Sequence, residues 1–285
     1  MVSGIIVVGG TRTAYIIDRQ LSDGKIIDFQ DYANYCAEHY QRIITDFISL
    51  GGTHVQIPVY GWQAFQRGDD YINAIAQSVL MLTNSDFDQF YRENNIQPYF
   101  SGLELLYQLP HEHPFHETLV HLETYKNNFK GSGDRAVIWG IMPIPILAIT
   151  QAQQPDFSAL NADEIPSFLY EYYSKIVYGV ECPLPDFYIG SARTGQIKLR
   201  TALHPSIAPG ATTKYYWLQY PTIWLNRTTL EIIMIDCQKQ YMNQSNFDYE
   251  SQMTPMLLEE LTTRFRNVIN DTSKIIGTGQ SWNNL

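Results

Sequence analysis

Residues Ile5 to Ile16 read IIVVGGTRTAYI: an apolar run, a glycine turn and an arginine in immediate succession. Four consecutive aliphatic residues, Ile5 to Val8, predict a strand buried on both faces. Gly9, Gly10, Thr11 and Arg12 then supply the turn, because glycine reaches backbone conformations that other residues avoid. A buried strand that leaves its sheet this way opens an α/β architecture. The backbone amides of a glycine-rich turn also bind phosphate oxygens, and Arg12 adds a charged fork for the same anion. The stretch is neither GxxxxGK[ST] nor GxGxxG, and it contains no carboxylate.

Working outward, strand and helix patterns alternate. After Asp31, apolar side chains recur at Cys36, Tyr40, Ile43, Ile44, Phe47 and Ile48, one face of a helix that Gly51 and Gly52 end. His54 to Tyr60 is the next strand. Further helices are expected over 69–82, from a cap at Asn84 or Ser85, and over 116–128, 163–179, 228–241 and 254–270, with a short one reaching about residue 153. Strands are expected over 96–100, 135–141, 186–191, 214–219 and 222–225. No Gly/Ser-rich linker and no repeat divides the 285 residues, so one domain over 1–285 is expected. The alternation predicts an α/β fold with a mainly parallel sheet flanked by helices on both faces. Ligands in such sheets sit at the carboxyl ends of the strands, where Gly9–Arg12, Tyr60–Trp62 and Gly190–Arg193 fall.

Composition narrows the function. The 45% apolar and 17% charged residues are those of a globular chain. A net charge of -10 and the lack of any Lys/Arg run argue against a nucleic-acid role. Cys36, Cys182 and Cys237 are widely spaced without CxxC, as expected of free thiols in a reducing compartment. The N-terminus lacks a basic, then apolar leader. The longest apolar run, Val137 to Ile149, is too short to span a bilayer and holds two prolines. A cytoplasmic protein without an integral membrane segment is expected.

Three other stretches carry chemistry. IGSARTGQIKLR, from Ile189 to Arg200, is a second strand exit into small residues and then Arg193; Lys198 and Arg200 read as a solvated loop. VYGWQAF places Tyr60, Trp62 and Phe65 just after a strand, where aromatic faces shelter cations or apolar ligands. HEHPFHETLVH holds His111, His113, His116 and His121, but the last two are five apart and Pro114 bars a helix between His113 and His116. No metal site is expected there. Neither GxSxG nor HExxH occurs.

Five stretches, in order over nearly the full length, then resemble the cis-prenyltransferase-fold family. They are GGTRTAY, the Asp31-Tyr32 pair, QRGDDYINAIAQSVLMLTNSDFDQFY, FLYEYYSKIV and DFYIGSAR. The likeness is to its small diterpene synthase branch, typified by tuberculosinol and kolavelool synthases. The resemblance implies an undecaprenyl diphosphate synthase-like fold, a homodimer, and ionisation of a bicyclic C20 allylic diphosphate supplied by a separate class II cyclase. Water then captures the cation to give an alcohol. It further implies that Arg12 and Arg193 hold the diphosphate with Gly9, Gly10 and Thr11. By the same resemblance Tyr32 is expected near the reacting carbon, Tyr15, Tyr60, Trp62 and Arg67 along the substrate, and Trp282 over it.

The differences from the family are informative. Elongating members carry Asp-Gly-Asn-Gly-Arg at the first strand exit, and the tuberculosinol type Asp-Gly-Thr-Arg-Arg. Here Gly9 stands at the Asp and Thr13 at the second Arg. The family Asp is the usual Mg²⁺ carboxylate, so weak or absent Mg²⁺ dependence is expected. An Arg-Thr pair of elongating members aligns with Gly190-Ser191 without a gap, or with Arg193-Thr194 after a three-residue shift. A chain-elongating transferase and a non-catalytic partner subunit are the alternatives.

Overall fold

The computed structural model describes residues 2–21, 24, 26, 28–61, 68–103, 106–131, 133–141, 149, 160–161, 164–191, 199–200, 203–208 and 211–238. In chain order the elements are β1 (Val2–Ile6), α1 (Thr11–Asp18), α2 (Phe29–Ser49), β2 (Gly52–Tyr60), α3 (Asp69–Leu80), α4 (Ser85–Glu93) and β3 (Ile96–Ser101). They continue with α5 (Pro114–Asn128), β4 (Arg135–Ile141), α6 (Ile165–Tyr178), β5 (Phe187–Ser191), β6 (Lys214–Leu218) and α7 (Arg227–Gln238). The strands form one sheet in the order β3-β4-β2-β1-β5-β6. Every pairing is parallel. The chain builds leftward from β1 through β2, then places β5 and β6 on its other side. The carboxyl end of β1 is therefore a topological switch point.

Alternation along each strand sorts the core. Ile6, Val55, Ile57, Val137, Trp139 and Ile141 face the larger cluster, under α2, α3, α5 and α7. Ala136 and Ile138 face the opposite side, with Tyr170, Val177 and Tyr178 of α6. That second side is held by a polar network. Gln56 Nε2 donates to Tyr170 Oη at 2.7 Å, and Tyr178 Oη donates to Gln56 Oε1 at 2.7 Å. Tyr170 Oη donates on to the Leu203 carbonyl, and Leu203 N–H donates to Tyr178 Oη. The network ties central strand, α6 and the segment around 203 together.

Local signals explain the helix ends. Asp28 caps α2 by accepting from the Gln30 and Asp31 amides, and Asn84 caps α4 by accepting from Phe87 N–H. Gly179, at φ +77°, ends α6 in the left-handed conformation.

Several expected elements differ. β1 ends at Ile6, although Val7 N–H still bonds to the Ile189 carbonyl at 2.9 Å; the chain then lifts towards α1. Residues 222–225 are not a strand. Pro221 cannot donate to a ladder, and the Trp224 and Leu225 amides bond back to Pro221 and Thr222 in a 3-10 turn. Pro114 opens α5 rather than barring it, since a first-turn residue needs no N–H partner and His113 Nδ1 accepts from Phe115 N–H. The helix expected over 69–82 stops at Leu80 and tightens into a 3-10 turn. The short helix near 153 and the helix at 254–270 lie outside the described residues. Among the described residues no helix is long and apolar enough to cross a membrane.

Replacing Gln56 with Leu keeps the volume but removes one acceptor and one donor from buried tyrosines. It is expected to cost about 1–3 kcal/mol in urea unfolding without changing the slope of the transition.

Candidate functional site

The turn after β1 is built around Gly10. Its φ of 75° favours glycine, and a Cβ there would lie 2.8 Å from Pro221 Cβ. Gly9 is different: a Cβ there meets nothing nearer than Ser191 Cβ at 3.8 Å. The first amide to bond inside α1 is Ala14, to the Gly10 carbonyl at 3.0 Å. The Thr11 and Arg12 amides precede that ladder at the positive end of the helix dipole, and no acidic residue occupies the first turn. Arg12 is exposed, with its guanidinium carbon 5.8 Å from the ring centre of Tyr71 on α3.

α2 buttresses the turn. The hydroxyls of Thr11 and Tyr32 are hydrogen-bonded at 2.6 Å. The buried Tyr15 ring packs edge-on against Tyr32 at 5.2 Å and against Tyr35 at 5.5 Å. Tyr15 Oη donates to Asp31, which also takes a two-pronged contact from Arg19. Those bonds from Arg19 and then Tyr15 hold the Asp31 carboxyl below the usual carboxylate range. Further along, Asp18 accepts from Tyr35 Oη at 2.6 Å and from Trp224 Nε1 at 3.0 Å.

Beside the turn lies a pocket between α2, β2 and the end of α3. Tyr32, Cys36 and Tyr40, four residues apart on α2, face Val59, Tyr60 and Ser78 across it. Its free volume is about 30 Å³, room for one or two water molecules. Ser78 donates to the Ile75 carbonyl, so its 2.6 Å partner Tyr60 donates to Ser78. Burial pushes the Tyr32 and Tyr60 hydroxyls well above the ordinary tyrosine range and the Cys36 thiol up to about 12. At neutral pH these groups are uncharged donors and acceptors.

The structure thus gathers Gly9, Gly10, Thr11, Arg12, Tyr32 and Tyr60 at one end of the sheet. Tyr15 stands behind them, its hydroxyl committed to Asp31, and it shapes the site by supporting Tyr32. Trp62, Arg67, Arg193 and Trp282 lie outside the described residues. Gly190 leaves no room for a side chain, since a Cβ would lie 2.4 Å from the Trp217 ring, and Ser191 Oγ donates to the Tyr220 carbonyl at 3.3 Å. Cys36 and Tyr40 were legible only as one apolar helix face; their spacing from Tyr32 was the available signal. Ser78 and Tyr71 carried none.

Among the described side chains at the turn, none offers Mg²⁺ a free carboxylate. Gly9 brings no carboxylate, and Asp18 and Asp31 are engaged as described. Among the described residues no three His, Cys, Asp or Glu side chains gather where they could hold a metal ion.

The thiols give a direct check of the pocket's burial. Cys36 and Cys182 are both pushed up to about 12 by burial, and Cys237 is raised as well. Reaction requires thiolate, which stays scarce below the raised value. A disulfide-exchange reagent at pH 8 is therefore expected to leave the native protein nearly unlabelled and to react with three thiols in urea.

No family model matches the sequence, and no curated protein matches it. Among solved structures the chain is similar to lavandulyl diphosphate synthase from Lavandula x intermedia in complex with dimethylallyl diphosphate. Identity is 16% and the TM-score 0.57, over 84% of this chain and 95% of that one. The chain has a cis-prenyltransferase-like fold, a central parallel sheet flanked by helices.

Proposed function

We propose that this chain is an enzyme that binds an allylic prenyl diphosphate at the Gly9–Arg12 turn, ionises it and lets water capture the cation. The observation that carries the reading is the 2.6 Å bond between Thr11 and Tyr32. It joins an anion-suited helix start to a pocket of tyrosines at the switch point of the sheet. A protein of the same fold, lavandulyl diphosphate synthase, holds dimethylallyl diphosphate, which carries the same headgroup. The sequence resemblance supports a bicyclic C20 substrate of the kolavenyl or tuberculosinyl type, made by a separate class II cyclase, a diterpene alcohol product and a homodimer.

The chemistry follows from charge. The carbon–oxygen bond breaks, the diphosphate takes the electron pair, and a cation remains. Amides at Gly10 and Thr11 with the guanidinium of Arg12 would stabilise the departing anion, joined by Arg193 on the reading from sequence. Aromatic faces, Tyr60 and Trp62 among them, would shelter the cation. Neutral Tyr32 would position water and pass its proton to the released diphosphate. With no carboxylate at Gly9, the amides and guanidinium carry the neutralisation that an acid and a metal would otherwise share.

A second reading, a non-catalytic partner subunit, draws on Gly9, which stands where the related enzymes keep an acid. One experiment separates the readings. The protein is incubated with linear and bicyclic C15 and C20 diphosphates, with and without Mg²⁺, and products are read by mass spectrometry. Alcohol and diphosphate support ionisation. Longer chains after adding isopentenyl diphosphate indicate elongation, and no turnover of any substrate indicates the partner subunit.

Arg12→Ala is expected to lower turnover about 100- to 1,000-fold, and near-normal alcohol formation would remove the diphosphate assignment. Tyr32→Phe is expected to slow product formation or divert it to olefins. Gly9→Asp fits the space at the turn, so melting should be unchanged while turnover becomes Mg²⁺-responsive. Turnover indifferent to Mg²⁺ in that variant would place the diphosphate elsewhere.

A further inference from the structure

Four histidines fall just before or within α5, the helix that packs on α3 and β3. The structure separates their roles. His121 Nε2 is bonded to Thr83 Oγ1 at 2.8 Å, tying α5 to the end of α3. His113 caps α5, its Nδ1 accepting from Phe115 N–H, and its ring stacks on Phe115 at 5.8 Å. His111 and His116 remain, and they turn to each other: His111 Nδ1 lies 3.0 Å from His116 Nε2, with ring centres 4.3 Å apart. His111 is exposed and His116 half-buried.

We propose that His111 and His116 form a two-imidazole chelate for a borderline divalent transition ion such as Zn²⁺ or Ni²⁺, completed by water. The distance decides the matter. Zinc–imidazole bonds are about 2.0–2.1 Å, so two nitrogens on one ion stand about 3.3 Å apart at a tetrahedral angle and about 2.9 Å apart at a right angle. The observed 3.0 Å lies between, so the pair opens by a few tenths of an ångström at most. The two atoms are the same ones that an ion would take. Without metal, one ring nitrogen donates its proton to the other. With metal, both lone pairs bind the ion, and the displaced proton moves to the other nitrogen of its own ring.

The backbone holds this spacing in advance. His113 N–H bonds to the Pro110 carbonyl at 2.9 Å and His116 N–H to the His113 carbonyl at 2.8 Å, folding His111 back over the first turn of α5. Pro114 at the first helical position fixes the entry angle. The spacing of five residues, which is wrong for one helix, works because His111 precedes the helix. Nitrogen donors select zinc, nickel or copper over Mg²⁺, which takes oxygen ligands. The site is independent of the proposed diphosphate chemistry and stands or falls apart from it.

The test is calorimetric titration of the metal-stripped full chain with ZnCl₂, NiCl₂ and MgCl₂. One equivalent of Zn²⁺ or Ni²⁺ is expected to bind in the micromolar range, and Mg²⁺ not at all. His111→Gln and His116→Gln are each expected to weaken binding about tenfold or more, with His121→Gln leaving it unchanged. Both substituted positions reach solvent, and circular dichroism checks that the variants fold. Histidine-ring NMR gives a second readout, in which His111 and His116 shift on Zn²⁺ addition and the other five imidazoles do not. Absence of Zn²⁺ and Ni²⁺ uptake at submillimolar concentration, or uptake that survives both substitutions, would overturn the proposal.

Discussion

The left-handed glycine at position 10 is the constraint on which the proposed diphosphate site depends. The strand must leave the sheet and start a helix within four residues, over the 3-10 turn that begins at Pro221. At Gly10 a side chain is excluded twice, by φ of 75° and by Pro221 at 2.8 Å. This tight reversal aims the start of α1 outward at the switch point, where the Thr11 and Arg12 amides meet the end of the sheet. The role proposed for the turn rests on that placement.

The helix so started is short, eight residues, and such helices are weak alone. It is held by contacts from its neighbours. Thr11 is bonded to Tyr32, Tyr15 and Arg19 to Asp31, and Asp18 to Tyr35 and Trp224. The Arg19–Asp31 pair is solvent-exposed, so its worth lies in orientation more than in energy. Tyr15 illustrates the division of labour. Its ring and hydroxyl serve Tyr32 and Asp31, and this fixes where the Tyr32 hydroxyl points.

Electrostatically the site is lopsided. A protein with a net charge of -10 presents an arginine and a helix start, with no acid in the first turn, at this one end. The pocket beside it keeps its hydroxyls and thiol neutral through burial. A positive rim next to a neutral aromatic wall suits an anionic headgroup attached to an apolar body. On the opposite face of the sheet the Gln56, Tyr170 and Tyr178 network fixes α6 and the chain near Leu203.

Local sequence was enough for the alternating order of strands and helices, the parallel sheet, a helix start at Asn84 or Ser85, the stop at Gly179, and the glycine turn with Arg12. Each of these is written in local periodicity or in a residue whose backbone preference is strong. Local reading misjudged Pro114 and residues 222–225, because whether a proline opens a helix or ends a strand depends on what lies around it. The strand order, the Thr11–Tyr32 bond and the closing of the pocket by Ser78 emerged only from the folded chain. So did the contrast between Gly9, which has room for a side chain, and Gly10 and Gly190, which have none. The reason is range. Propensity acts over one or two turns of chain, whereas these features join residues 18 to 211 positions apart, through packing that no local pattern records.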